Sequence, residues 1–155
     1  MSLDKSKMDC DFHRFARMAQ IKSSGFIEID HKADWAVKVW ANDFPGLLIE
    51  SARAMFNLTG LRLKSEPRES RQIKLTAADR ESLLVAFLSE LIYLDEQEGL
   101  GFDIFDLAVD EFNLAAKIEG AAIVSQQREI KAVTYHNLVV RETDGRLEVT
   151  IVFDV

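Results

Sequence analysis

The hydrophobic pattern falls into two helical stripes set among alternating runs, all from Gly25 onward. Phe26-Ile27-Glu28-Ile29-Asp30 predicts a first strand. Asp34 to Trp40 alternates, with Trp35, Val37 and Val39 on one face, the period of a half-buried strand. Phe44, Leu47, Leu48, Ala52, Met55 and Phe56 recur at helical spacing, which gives one apolar face from about Phe44 to Leu58. Asn42 or Asp43 can cap this helix, and Pro45 suits its first turn. Residues 59–70 hold Gly60, Pro67 and mixed charges. They predict a loop, with a strand following near Gln72 to Thr76. Asp79 is the expected N-cap of a second helix, whose stripe is Leu83, Leu84, Phe87, Leu88, Leu91, Ile92 and Leu94, with Gly99 as its stop.

The remainder is strand-rich. Phe102 to Val109 and Phe112 to Ile118 read as a pair; Glu129 to Tyr135, Leu138 to Glu142 and Leu147 to Phe153 follow. Asp144-Gly145 between the last two is a two-residue hairpin signal. Short turns between successive strands imply antiparallel pairing. The expected fold class is α+β, a two-layer sandwich with a largely antiparallel sheet covered by two amphipathic helices. Residues 1–24 are expected as an N-terminal tail, poorly ordered or a short helix, and 25–155 as the domain. The Leu83 to Leu94 stripe is expected in the core, and Asp95-Glu96-Gln97-Glu98 as a solvated helix end facing an unfavourable dipole.

Composition narrows the function. The 155 residues carry 26 acidic and 19 basic side chains, a net charge of −7. A free RNA-binding module usually shows a basic face, because phosphate neutralisation supplies most non-specific affinity. The balance argues against tight independent nucleic-acid binding, but suits a cation or a basic protein partner. Cys10 is the single cysteine, so no internal disulfide forms. No apolar run reaches the roughly 18–20 residues of a membrane span, and no signal-peptide core opens the chain, so a cytoplasmic protein without membrane contact is expected.

Three segments hold candidate chemistry. His31 and Asp34, three apart, can ligate a metal, form an acid–base pair, or simply satisfy loop backbone groups. Asp154 beside the carboxylate of Val155 puts two anionic groups together, the kind of oxygen donors that calcium or magnesium take, or leaves a solvated acid at a strand end. Glu129 to His136 reads EIKAVTYH. As a strand it places Lys131, Val133 and Tyr135 on one face and Ile130, Ala132 and Thr134 on the other. Lys131 there either flanks a core strand or stands near a carboxylate cluster.

Together these segments carry a resemblance. His31-Lys32-Ala33-Asp34 resembles the opening H-x-A-D motif of the archease family, EIKAVTYH resembles that family's internal motif, and Ile151 to Val155, IVFDV, resembles its C-terminus. The resemblance spans roughly residues 25–155. It implies a non-catalytic activator of an RtcB-type RNA ligase, which joins RNA ends with GTP and divalent metal in tRNA splicing and RNA repair. The activator promotes ligase guanylylation and multiple turnover. It implies a divalent cation, calcium with magnesium or manganese as alternatives, held by Asp34, Asp154 and the carboxylate of Val155. Lys131 matches a lysine needed for activation. His31 is expected to orient the loop rather than ligate, since these ions prefer oxygen, and His136 to be structural. The chain departs from the family at Gly120 to Arg128, which is short and lacks the acid and histidine that many members carry there, and at the bulky Trp35. The alternative role attached to the family is a chaperone-like modulator of a tRNA-modifying enzyme such as a tRNA methyltransferase. A stand-alone metal-dependent hydrolase is the third class, and it lacks a nucleophile motif, a phosphate loop and clustered histidines.

Overall fold

A computed structural model describes residues 23–29 and 35–155. The first 22 residues, with Cys10 and His13, and residues 30–34, with His31 and Asp34, lie outside the described residues. The elements are β1 (Gly25–Ile29), β2 (Trp35–Ala41), α1 (Phe44–Thr59), β3 (Arg62–Thr76), α2 (Arg80–Glu98), β4 (Leu100–Asp110), β5 (Asn113–Ser125), β6 (Ala132–Val133), β7 (Arg141–Thr143) and β8 (Arg146–Asp154). The class is α+β, as expected, with every strand pair antiparallel. The strands divide into two sheets rather than one. The larger runs β1-β2-β8-β6, with β7 also on β8, and the smaller runs β3-β5-β4.

Both helices follow from local chemistry. The Asp43 carboxylate accepts from Gly46 N–H at 2.8 Å and Pro45 sits in the first turn of α1. The Asp79 carboxylate accepts from Ser82 N–H at 2.7 Å at the start of α2. Such side chains satisfy donors that the helix itself cannot. Gly99 closes α2 in a left-handed conformation, φ 66°, which a side chain would disfavour. The Asp144-Gly145 turn has φ of 52° and 77°, the positive pair that a tight hairpin between β7 and β8 requires.

One apolar cluster unites the layers. Leu47, Leu48 and Met55 of α1, Leu83, Leu84, Phe87, Leu88 and Leu91 of α2, Val37 of β2 and Ile151 and Phe153 of β8 are all fully buried. Helix α1 packs on β2, β1 and β4, while α2 packs on β4, β6 and β3. Phe105 of β4 meets Phe87 edge-on, centroids 6.5 Å apart.

Two sequence expectations in the smaller sheet need correction, and in the larger one the strand expected over Leu138 to Glu142 forms only at Arg141–Thr143. The predicted loop 59–70 is mostly strand, because β3 begins at Arg62. Its first ten residues are mostly polar and exposed because β3 is a sheet edge, and ion pairs add to the β5 ladder there where apolar burial is slight. Arg68 pairs with Asp103 of β4 and Glu119 of β5, and Arg71 with Glu98 at the end of α2. Regular pairing with β5 is broken at the start of β3, between Arg62 and Leu63 and between Leu63 and Arg68. The second correction is β5, which runs to Ser125 rather than Ile118. Beyond Ile118 it threads Gly120 past Gly101 of β4, where an added Cβ would lie 1.8 Å from the Gly101 carbonyl oxygen, so only glycine permits that approach.

Leu88 and Tyr93 offer a test of this core on one helix. Leu88 is fully buried, and Tyr93 is 55% exposed. Leu88→Ala should cost about 2–5 kcal/mol in urea unfolding, and Tyr93→Ala no more than about 0.5 kcal/mol. Equal costs would show that α2 is not packed as described.

Candidate functional site

The end of β8 is the point to which the singled-out segments converge. On one side Phe153 pairs with Trp35, the first residue of β2; on the other Phe153 pairs with Val133 and Asp154 with Ala132. Phe153 is wholly buried, Asp154 is exposed, and Val155 is 39% exposed. Burying Phe153 turns the next side chain outward, since strand side chains alternate. Asp154 therefore stands on the rim of the larger sheet.

The EIKAVTYH segment reaches this rim by a different geometry from that expected. Only Ala132 and Val133 are regular strand. The Lys131 N–H donates to the Asp154 carbonyl at 2.8 Å, while the register already sets Ala132 opposite Asp154. Two residues thus face one, the arrangement of a β-bulge. The bulge breaks the alternation: Ile130 and Val133, three apart, are both buried, whereas Lys131 and Tyr135 are exposed. Thr134 then donates both its N–H and its hydroxyl to the Val152 carbonyl, each at 3.0 Å. The chain turns at Tyr135 to Leu138, with Asn137 at φ 50° and His136 exposed beside it.

Residues 126–128 form a strap, within the stretch that sequence reading noted only as short and lacking the family's acid and histidine. The N–H groups of Gln127 and Arg128 both donate to the Thr59 carbonyl at the end of α1, at 2.8 and 3.2 Å. The Arg128 guanidinium lies 4.4 Å from the centre of the Trp35 ring, a cation–π contact. Gln126 Nε2 donates to both Asp95 oxygens at 3.0 Å. The strap thus ties both helix ends to the first residue of β2. These contacts had no short-range signal, because each joins residues far apart in sequence. The bulky Trp35 at this position is a platform for Arg128.

The structure brings Lys131, Asp154 and Val155 together, while His31 and Asp34 are outside the described residues. Among the described residues, no three His, Cys, Asp or Glu side chains cluster as a metal site. No described helix is long and apolar enough to cross a membrane.

A class of molecule is thereby defined: a small antiparallel α+β domain whose last strand presents an acid beside a bulged, lysine-bearing segment. Residues 26–155 match the model of the Archease protein family (MTH1598/TM1083), and the chain belongs to that family. The archease of Methanopyrus kandleri is 34% identical over 136 residues, covering 83% of this chain and 97% of the relative. That of Methanosarcina mazei is 31% identical, covering 82% and 93%. The solution structure of Methanobacterium thermoautotrophicum protein 1598 superposes with a TM-score of 0.67 at 25% identity, over 84% of this chain and 99% of that one. The crystal structure of a Thermotoga maritima archease, described as a possible chaperone, gives 0.63 at 25% identity, over 82% and 94%.

Asp95 under the strap provides the next prediction. Burial raises its carboxyl above the ordinary range; the Gln126 hydrogen bonds oppose this, and Glu129 and Glu96 add to it. A carboxyl with a raised folded-state pKa weakens the fold when ionised. The penalty is absent below the unfolded pKa and grows as pH rises toward the folded one. Gln126 Oε1 is also buried without a hydrogen-bond partner. Asp95→Asn removes the charge and keeps one oxygen to accept from Gln126 Nε2. It should leave the protein at least as stable as wild type at neutral pH and flatten the decline in stability above the ordinary carboxylate pKa. Urea midpoints at both ends of that range measure it, and a destabilised Asn variant would refute the strap's description.

Proposed function

We propose that this chain activates an RtcB-type RNA ligase in tRNA splicing and RNA repair, promoting ligase guanylylation and multiple turnover through a metal-binding carboxylate rim. The observation that carries the reading is the backbone hydrogen bond from Lys131 to Asp154, which joins the two motif segments at one exposed edge. Family membership supports it.

The donor chemistry of the rim fits a hard divalent cation. The Asp154 carboxylate is exposed at the strand end, and oxygen donors are what calcium, magnesium and manganese accept. Asp154, the carboxylate of Val155 and Asp34 would hold the ion, with His31 orienting the turn. When bound, it supplies positive charge that neutralises the carboxylates and orients phosphate oxygens. The chain's own residues supply the rest. Buried Phe153 and Val133 hold the rim rigid behind Asp154. The bulge points Lys131 into solvent, where its ammonium can meet a phosphate or an acidic group of the partner. Arg128 fixes Trp35, and with it the start of β2.

Asp154→Ala, Asp34→Ala and Lys131→Ala should each abolish stimulation of guanylylation and multiple-turnover joining by the same organism's ligase. Asp154→Ala and Lys131→Ala remove exposed side chains, so their stability should stay within about 0.5 kcal/mol of wild type. Full stimulation by Asp154→Ala would sink the rim mechanism. Failure of the wild type to stimulate a competent ligase would sink the activator reading.

The description of the Thermotoga maritima relative as a possible chaperone favours a second reading: a chaperone-like modulator of a tRNA-modifying enzyme such as a tRNA methyltransferase. Its mark is suppression of client aggregation that persists in Asp154→Ala.

A further inference from the structure

Strand β4 is an edge of the smaller sheet, and its described pairing is to β5 alone. Asp110 pairs with Asn113 across the two-residue turn Glu111-Phe112, so that pair exchanges both hydrogen bonds. Alternation along an antiparallel ladder makes Ala108 and Asp106 the next residues bonded to β5. The N–H and C=O groups of Phe105, Leu107 and Val109 consequently face the open edge.

The side chains along this edge sort into two rows. Phe105, Leu107 and Val109 are partly buried and pack against the core. Ile104, Asp106, Ala108 and Asp110 are exposed on the other face. The strand carries three aspartates and no Lys or Arg. Arg68 holds Asp103, whereas Asp106 and Asp110 make no ion pair among the described residues; Lys117 stands opposite Asp106 in register, inboard of the edge. At the hairpin end lies a cleft of about 630 Å³ whose lining includes the acids Asp79, Glu81 and Glu111. Its one base, Arg80, lies over the Phe44 ring.

We propose that the open edge of β4 is a docking site for an extended basic segment of a partner protein, which adds as a fourth strand. Backbone groups of Phe105, Leu107 and Val109 supply the ladder, as in other strand-addition complexes. Aliphatic side chains of the incoming segment extend the half-buried row, and alternate Lys or Arg side chains meet Asp106 and Asp110. Edge strands are commonly guarded by charge, and acid alone would serve as a guard against self-pairing. A guard needs no apolar row waiting to be covered, and this edge has one. A second copy is a poor occupant. It would bring the same acids onto one face with no base on either edge strand, and each chain carries −7.

The test uses the full chain and two short synthetic peptides, one alternating Val with Lys and one alternating Val with Glu. Amide hydrogen exchange should show slowed exchange at Phe105, Leu107 and Val109 with the Lys peptide and none with the Glu peptide. Leu107→Pro deletes an outward-facing N–H while sparing the β5 ladder, a place where an edge strand accepts proline. It should weaken Lys-peptide binding at least about tenfold, a change of roughly 1.4 kcal/mol. Should that variant fail to fold, Asp106→Lys, an exposed charge reversal, should weaken the Lys peptide and admit the Glu peptide. Asp154→Ala should bind the Lys peptide as wild type does, which separates this edge from the rim. Protection on another strand, equal binding of both peptides, no binding, or protection of the three amides by self-association alone would each overturn the proposal.

Discussion

The burial of Phe153 between β2 and β6 is the constraint from which the rest of the architecture follows. A strand that buries Ile151 and Phe153 against the helices has no freedom over what Asp154 does. A slip of one residue would turn Phe153 outward and drive the acid into the core, so register is held by the full hydrophobic gain of the strand. At this end Val152 and its cross-strand neighbour Ala36 are buried as well, so the strand is apolar on both faces until its last two residues. Core and rim are one device. The residues that hold the fold together set the position of the charged group that the family motif carries, which is why a side chain on an exposed strand end can be placed with little freedom.

The bulge at Lys131 extends the same logic. A regular strand from Glu129 to Tyr135 would have put Lys131 and Val133 on one face and required either a buried lysine or an exposed valine. The extra residue opposite Asp154 resolves the conflict: Ile130 and Val133 are both buried while Lys131 stays in water. Thr134 closes the irregularity by bonding twice to the Val152 carbonyl. The strap before it distributes the load further, since the Thr59 carbonyl holds two of its amides and the Asp95 carboxylate and the Trp35 ring each hold one of its side chains.

What the sequence disclosed and what it hid divide along the same physical line. Helices α1 and α2 were legible to within a residue or two because Asp43, Asp79 and Gly99 act on their own neighbours. So was the β7–β8 hairpin, since Asp144-Gly145 encodes its turn. The first ten residues of β3 were hidden because their partners, the β5 ladder and the acids Asp103, Glu119 and Glu98 that meet Arg68 and Arg71, are distant in sequence and leave no periodicity. The partition of strands into two sheets was hidden for the same reason. At the rim, the identities of Lys131 and Asp154 were legible through motif, but the bulge that joins them was not, because a bulge leaves no mark on composition. Arg128 over Trp35 was invisible from either residue alone.

Charge is distributed to complement this division of labour. The acids that face bases of the smaller sheet, such as Asp103 with Arg68 and Glu98 with Arg71, make up for the apolar alternation that the first part of β3 lacks. Such exposed pairs contribute little each, yet they are spaced along an edge strand with few other anchors. Asp106, Asp110 and Asp154 have no such duty among the described residues. An acid that makes no ion pair in its own fold, on a chain already at −7, adds to self-repulsion. Its place at the sheet edge and at the strand end is therefore best understood through what approaches from outside. A cation or a basic segment meets a surface whose acids are held in place by neighbouring buried residues and are not neutralised from within.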